Sequence, residues 1–416
     1  MQTYTVNHRL RKNLPNGTLY NSQVATLIFI VGVAFKLSSA PGIISSQFGS
    51  STLWMFLLYT SLEAILLVAI LSFSRMNGDG FLLAQNSASY RIVCALTSIL
   101  LTLKATFYFC FFSAYITHEL FSSTEPYLVY IVFLAPIIYL GAKGMRTVAR
   151  SAEIFILIFF ALITLNLIFL DTDLDFGRNL PVFAVPPSEF FANFPRFGLL
   201  IGDFLPFLFI RINDKRMPYI TISASITWTL INVVVALGVA IYGNALKMIS
   251  ELLIHIAAFN QLTLEIGRME WTNLFTMLIM SIFSLSFLFC GAIESCNRAV
   301  KTAIPAKIIF PASLICASVF VPSANSVTYF SMSWFGYVLF ATSVFIPLAL
   351  LVILFATKQK YKGWYACLHA ELKVKKRTSA IPNSLADGIL DGFKDSAKSN
   401  EQIMPNGTLQ PKENKE

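Results

Sequence analysis

Residues 24–48 read VATLIFIVGVAFKLSSAPGIISSQF, an apolar run with Lys36 near its middle and Ser38, Ser39, Pro41 and Gly42 just beyond it. A spanning helix needs about 20 mainly apolar residues, so the run is long enough to cross a bilayer. Proline removes a backbone donor and crowds the preceding turn. The stretch therefore predicts a membrane helix that unwinds or kinks at its centre, next to a charge. A second stretch repeats the design. Phe197-Gly198-Leu199-Leu200-Ile201-Gly202-Asp203-Phe204-Leu205-Pro206 again brackets an ionisable residue with glycine and proline.

Composition supports the same reading. Of 416 residues, 56% are hydrophobic and 13% are charged, whereas a soluble domain carries roughly 25% charged residues. The apolar residues come in long runs, which predict an all-α polytopic protein with ten spans at 23–48, 51–74, 89–117, 124–142, 151–170, 193–212, 217–243, 271–296, 304–321 and 331–357. Three regions follow: a segment at 1–22, a transmembrane domain at 23–357 and a basic tail at 358–416. The tail is polar and short of aromatics, so disorder is expected there. The first 22 residues are polar and basic, and no cleavable leader is expected.

Lysines and arginines set orientation. With the N-terminus inside, the inner segments before the tail carry Arg9, Arg11, Lys12, Arg75, Arg91, Lys143, Arg146, Arg150, Arg211, Lys215, Arg216, Arg298, Lys301 and Lys307. The outer segments carry Arg178, Arg196, Lys247 and Arg268. Fourteen against four places both termini in the cytoplasm, and the net charge of +9 is a topology signal that does not call for nucleic acid. The outer segment 245–262 has Leu246, Ile249, Leu253 and Ile256 at helical spacing and predicts a helix lying on the outer surface.

Four ionisable residues fall near the middle of spans: Lys36 in the first, Glu63 in the second, Lys104 in the third and Asp203 in the sixth. Such groups are costly in lipid and face a partner or a cavity. Two acids and two bases at one depth suggest pairing across helices. They form either a structural network or a polar site or proton relay. Glu153 and Glu294, near cytoplasmic ends, are expected to snorkel or to pair with Arg150 and Arg298.

Ten spans divide into five and five. An odd number per half makes any repeat an inverted one, with the first and sixth spans equivalent. Interrupted spans at matching positions of two halves point to a midplane solute site. The expected ligand-binding residues are Lys36, Ser38, Ser39, Gly42, Lys104, Gly202 and Asp203, with Glu63, Lys104 and Asp203 as core ion pairs or relay. The sequence offers no catalytic motif, metal-ligand cluster or nucleotide loop. The six cysteines lack metal or disulfide spacing and the histidines are scattered, so neither an enzyme nor a cofactor is expected.

The ten-span plan with broken first and sixth helices resembles the amino acid–polyamine–organocation transporter superfamily. Within it the chain is similar to the B subunit of bacterial spore-germination nutrient receptors. Three stretches carry the resemblance: Gly144-Met145-Arg146-Thr147-Val148-Ala149-Arg150-Ser151-Ala152-Glu153-Ile154; Asn179-Leu180-Pro181-Val182 followed by Gly202-Asp203; and Ile266-Gly267-Arg268-Met269-Glu270-Trp271. The chain departs from the pattern in placing Arg146 where an acid is frequent, and in carrying Lys36 and Lys104 in the core. The resemblance implies a 5+5 inverted-repeat, transporter-like fold. It also implies a subunit that binds a nutrient such as an amino acid between the first, third, sixth and eighth helices, beside receptor A and C subunits. Arg146, Arg150 and Arg211 would contact a partner. The location would be the cell membrane, or the spore inner membrane of a sporulating organism. The alternative is a proton-coupled amino acid or amine permease.

Overall fold

The computed structural model describes residues 18–76, 88–119, 126–170, 174–212, 217–249, 251–257, 269–320 and 333–353. The basic tail, residues 1–17 and residues 213–216 lie outside them, as does the side chain of Arg211. The described chain is helical apart from one two-residue parallel pair, β1 (Thr18–Leu19) with β2 (Arg211–Ile212). The helices in order are α1 (Asn21–Lys36), α2 (Ala40–Phe48), α3 (Thr52–Met76), α4 (Ala88–Glu119), α5 (Pro126–Lys143), α6 (Met145–Ile168), α7 (Pro187–Asn193), α8 (Met217–Tyr242), α9 (Leu252–Ala257), α10 (Met269–Val300), α11 (Ile304–Phe320) and α12 (Trp334–Ile353).

Among the described residues, six helical stretches are long and apolar enough to cross a membrane: Ala40–Ser72, Ala88–Ser113, Met145–Ile168, Tyr219–Met248, Trp271–Val300 and Trp334–Ile353. Shorter apolar helices run over Asn21–Lys36, Tyr130–Lys143 and Ile304–Ala317. Their outward faces are apolar. Ile154 and Leu157 on α6 are 72% and 75% exposed, and Ile65, Ile308 and Val352 are also exposed. Contiguous apolar surface of this kind is unstable in water and fits lipid. The chain is a helical, membrane-embedded protein.

Helix α10 is the central post, packing against α1, α4, α5, α6 and α11. Small residues let these helices approach. Gly291 lies against Pro206 and Leu101, where an added Cβ would come within 2.6 and 2.9 Å of them. Ser98 on α4 donates to the Ala292 carbonyl at 2.9 Å.

Contacts sort the segments to two ends of the bundle. At one end, β1 pairs with β2, and Ser22 and Gln23 at the start of α1 donate to Glu153 on α6 at 2.7 and 3.4 Å. At the same end Arg298 donates to the Phe209 carbonyl and to Tyr90, and its Nε lies 3.3 Å from Glu294. At the other end, Trp54 donates to the Asn179 carbonyl, Ser51 accepts from the Ala184 amide, and Arg178 donates to the Ile241 carbonyl. Glu294 thus pairs with Arg298, one of the two alternatives expected for it. Glu153 takes the hydroxyl and amide donors of α1 as partners.

The first span breaks where its sequence predicts. α1 stops at Lys36, residues 37–39 turn, and α2 restarts at Ala40 with Pro41 in its first turn, where a missing amide hydrogen costs nothing. The sixth region departs further from a helix than expected. In place of a kinked α-helix over 193–212 there are two short 3-10 stretches, Phe194–Leu200 and Leu205–Phe209, joined through residues 201–204. Pro195 and Pro206, with Gly198 and Gly202 between them, leave too few consecutive helix formers for an α-helical ladder. Gly202 takes φ +88°, a conformation that favours glycine.

The segment after α8 also differs from expectation. It forms a 3-10 stretch, Gly243–Met248, and the short helix α9, as its spacing suggests. Its second half does not lie on a surface, because Leu252, Leu253 and Ile256 are fully buried, whereas Lys247 and Met248 in the first half are exposed. Its apolar face is covered by α2, α8 and α10.

Candidate functional site

The two chain breaks meet through charge. Lys36, the last residue of α1, places Nζ 2.7 Å from Asp203 Oδ2 and 2.7 Å from Glu63 Oε2 on α3. Lys104 on α4 places Nζ 2.7 Å from Asp203 Oδ1 and donates to the Ile201 carbonyl at 2.6 Å. All four side chains are buried. Two ammoniums and two carboxylates give a network that is neutral when all four are ionised, as burial in an apolar bundle demands. Asp203 is its hub, since both lysines converge on its two oxygens.

The 201–204 turn is also secured by backbone bonds. A broken helix releases carbonyls that must find donors in a membrane interior. Ile201 finds Lys104. Leu199 finds Tyr108, whose hydroxyl lies 2.8 Å from that carbonyl oxygen and 2.6 Å from Asp203 Oδ1. Tyr108 stacks on Phe35 with ring centroids 4.0 Å apart. Lys36 and Lys104 each have an aromatic ring within 6 Å, Phe204 at 5.7 Å and Tyr108 at 5.6 Å, which suits buried cations. Glu63 is less complete. Its Oε2 meets Lys36 as an ion pair, and its Oε1 has no hydrogen-bond partner.

The break in the first span is closed from another direction. The Leu37 and Ser38 carbonyls accept from the amides of Leu253 and Leu252, each at 3.3 Å. The Ser39 hydroxyl donates to Glu251 at 3.0 Å. Glu251 is 2% exposed, and burial pushes its carboxyl up to about 8 despite the Ser39 and Ser38 hydroxyls that favour the ionised form.

Beside the network lies a small cavity of about 20 Å³, bounded by Phe35 and Ser38 of the first span, Tyr108 and Phe111 of α4, and Ser281 and Ser284 of α10. That volume holds about one water. The Ser284 hydroxyl is buried without a hydrogen-bond partner. A second cavity of the same size is lined by Phe35, Ala40, Ile44, Arg196, Phe197 and Leu200. Phe35 lines both and separates them.

The expected residues are thus partly brought together. Lys36, Glu63, Lys104 and Asp203 form one cluster, and Gly202 sets the turn that delivers Asp203. Ser38 lines the first cavity and Ser39 turns to Glu251. Gly42 faces away from the cluster, tight against the Ile249 carbonyl. Arg146 is half-buried and Arg150 exposed, both far along the chain from the core charges. Sequence reasoning missed Tyr108, Ser284 and Glu251. Tyr108 had a signal, standing one helical turn after Lys104 on the same face.

No protein-family model matches this chain, and no curated protein is detectably similar to it.

Proposed function

We propose that this chain is a solute-binding membrane protein of ten spans with a 5+5 inverted-repeat, transporter-like fold, and that it serves as the nutrient-binding subunit of a spore-germination receptor. The observation that carries the reading is the Lys36–Asp203 pair. It joins an interrupted first span to an interrupted sixth region, beside a mainly apolar cavity with an unpartnered hydroxyl. Six long apolar stretches, three shorter apolar helices and the irregular 193–212 stretch would make up the ten crossings. The sorting of contacts to two ends supports the charge-based topology. Residues 18–23, 90, 153, 209–212 and 298 would be cytoplasmic, and residues 51–54, 176–184 and 240–257 would be outside.

The solute would be a small amino acid. Its polar groups would meet Ser38, Ser281 and Ser284, and its side chain would lie against Phe35 and Phe111. At about 20 Å³ the cavity is smaller than an amino acid, so binding would require Phe35 to move and merge the two spaces. Solute binding would then shift a closed-to-open balance by its differential affinity for the two states. Receptor A and C subunits would read the change at 143–150 and 211–216, through Arg146, Arg150 and Arg211. A second reading, a proton-coupled amino acid or amine permease, is favoured by the incomplete bonding of Glu63. A buried carboxyl with a free oxygen can hold a proton.

Uptake of labelled amino acids into proteoliposomes separates the two. A receptor subunit shows saturable binding without accumulation across a proton gradient. Gradient-driven accumulation that disappears in Glu63→Gln would replace the receptor reading with the permease.

A further inference from the structure

We propose that Glu251 is a proton-binding latch. As a neutral acid it holds the outer segment 251–257 down on the break in the first span, and loss of its proton releases the segment. The proposal is independent of which solute the cavity takes.

The segment is clamped across the break by three bonds from consecutive residues. Leu252 and Leu253 donate their amides to the Ser38 and Leu37 carbonyls, and Glu251 accepts from Ser39. The rest of the clamp is apolar, with Leu252, Leu253 and Ile256 fully buried. Asn273 on α10 donates to the Leu253 carbonyl at 3.3 Å and in turn accepts from Asn166 on α6 at 2.6 Å. Glu251 is the carboxyl built into this seam, and His255, one turn further on, is the segment's second titratable side chain among the described residues.

Its surroundings suit an acid better than an anion. No charged side chain among the described residues faces it. From the break it meets the Ser38 and Ser39 hydroxyls. From α10 and α6 the neighbouring polar groups are the amides of Asn273 and Asn166. On its own segment His255 presents Nδ1 to the Glu251 carbonyl oxygen, and Lys247 on the preceding stretch is exposed. Lys36, near the same break, is committed to Glu63 and Asp203.

The linkage has a definite sign. In the closed form the carboxyl sits near 8, and once lifted into water it returns to the ordinary range of about 4.3. Closing therefore takes up a proton. The closed form is favoured fully in acid, loses ground as pH rises between these two values, and levels off above about 8. Release frees the Leu37 and Ser38 carbonyls above the cavity that Ser38 lines, so the latch would control both access and the polar groups a solute meets.

The test is backbone hydrogen exchange over residues 252–257 in the purified full-length protein, corrected for the chemical pH dependence of exchange. The expected result is a rise of at least tenfold between pH 5 and pH 8, then a plateau. Glu251→Gln, which mimics the neutral acid, should stay protected across the range. Ser39→Ala, which keeps the acid but removes a hydroxyl that favours its ionised form, should move the plateau to higher pH. Corrected exchange that is flat from pH 5 to 8.5, a Glu251→Gln variant that follows wild type, or an unmoved plateau in Ser39→Ala would overturn the latch.

Discussion

Removing the Lys36 ammonium would strand Glu63, whose one contacting cation among the described residues it is, and would leave Asp203 to Lys104 alone. Breaking a buried pair by deleting one member costs about 3–5 kcal/mol, because the charge left behind stays desolvated. Lys36→Met should lose that much, read from unfolding in detergent. Asp203→Asn should lose more, since it leaves two ammoniums facing one carboxylate. Lys36→Met/Glu63→Gln removes one charge of each sign and keeps the Lys104–Asp203 pair, so it should recover at least half of the single-mutant loss. Lys36→Met/Asp203→Asn should recover none, because Lys104 and Glu63 are then stranded separately. The four charges were legible in the sequence, each being an ionisable residue inside an apolar run. Their connectivity was not, because it depends on which faces of four helices meet. Glu251 was legible only as one more acid in an outer loop. Its partner Ser39 is 212 positions away, and nothing local announces that a loop residue will be buried.

The breaks are the elements that position this chemistry, and each rests on a glycine with no room for a side chain. At Gly202 the backbone has φ +88°, and an added Cβ would also come within 2.9 Å of Ser343 on α12. Gly202→Ala should cost about 1–2 kcal/mol for the left-handed backbone alone, with further loss from displacing α12, again read from unfolding in detergent. At Gly42 a side chain would run into the Ile249 carbonyl. Gly42→Val should therefore push the 249–257 segment off α2 and raise its amide exchange at every pH, with no change in the pH at which the latch titrates. The break in the first span followed from Pro41 and Gly42, since proline starts the second half-helix. The interruption of the sixth region was legible too, since glycine and proline bracket Asp203 within an apolar run, but the loss of α-helix on both sides of it was not. Residues 194–209 contain two prolines and two glycines, and that density decides for 3-10 turns held by Lys104 and Tyr108. The short helix α9 was read correctly as helical but placed on a surface, because an apolar stripe says that a face is covered and not by what.

For the whole molecule, the long apolar runs and the excess of lysine and arginine in alternate loops already imposed a membrane bundle. The contacts at the two ends group the connecting segments into two sets. Single cysteines placed at Ser188 and at Arg150, in a background free of the native cysteines, should react with a membrane-impermeant thiol reagent from opposite faces of sealed vesicles. Reaction of both from one face would remove the ten-span topology. The hydroxyls and rings that line the cavity come from the first span, α4 and α10, and neither composition nor spacing encodes which faces meet there. The proposed function has the cavity between the first span, α4 and α10 take a small amino acid. Its most direct test is equilibrium binding of labelled amino acids to the purified protein and to Ser284→Ala. Saturable binding of at least one amino acid, weakened about tenfold by the loss of one buried hydrogen bond, is the predicted result. Absence of saturable binding, or an affinity unchanged in Ser284→Ala, would contradict it.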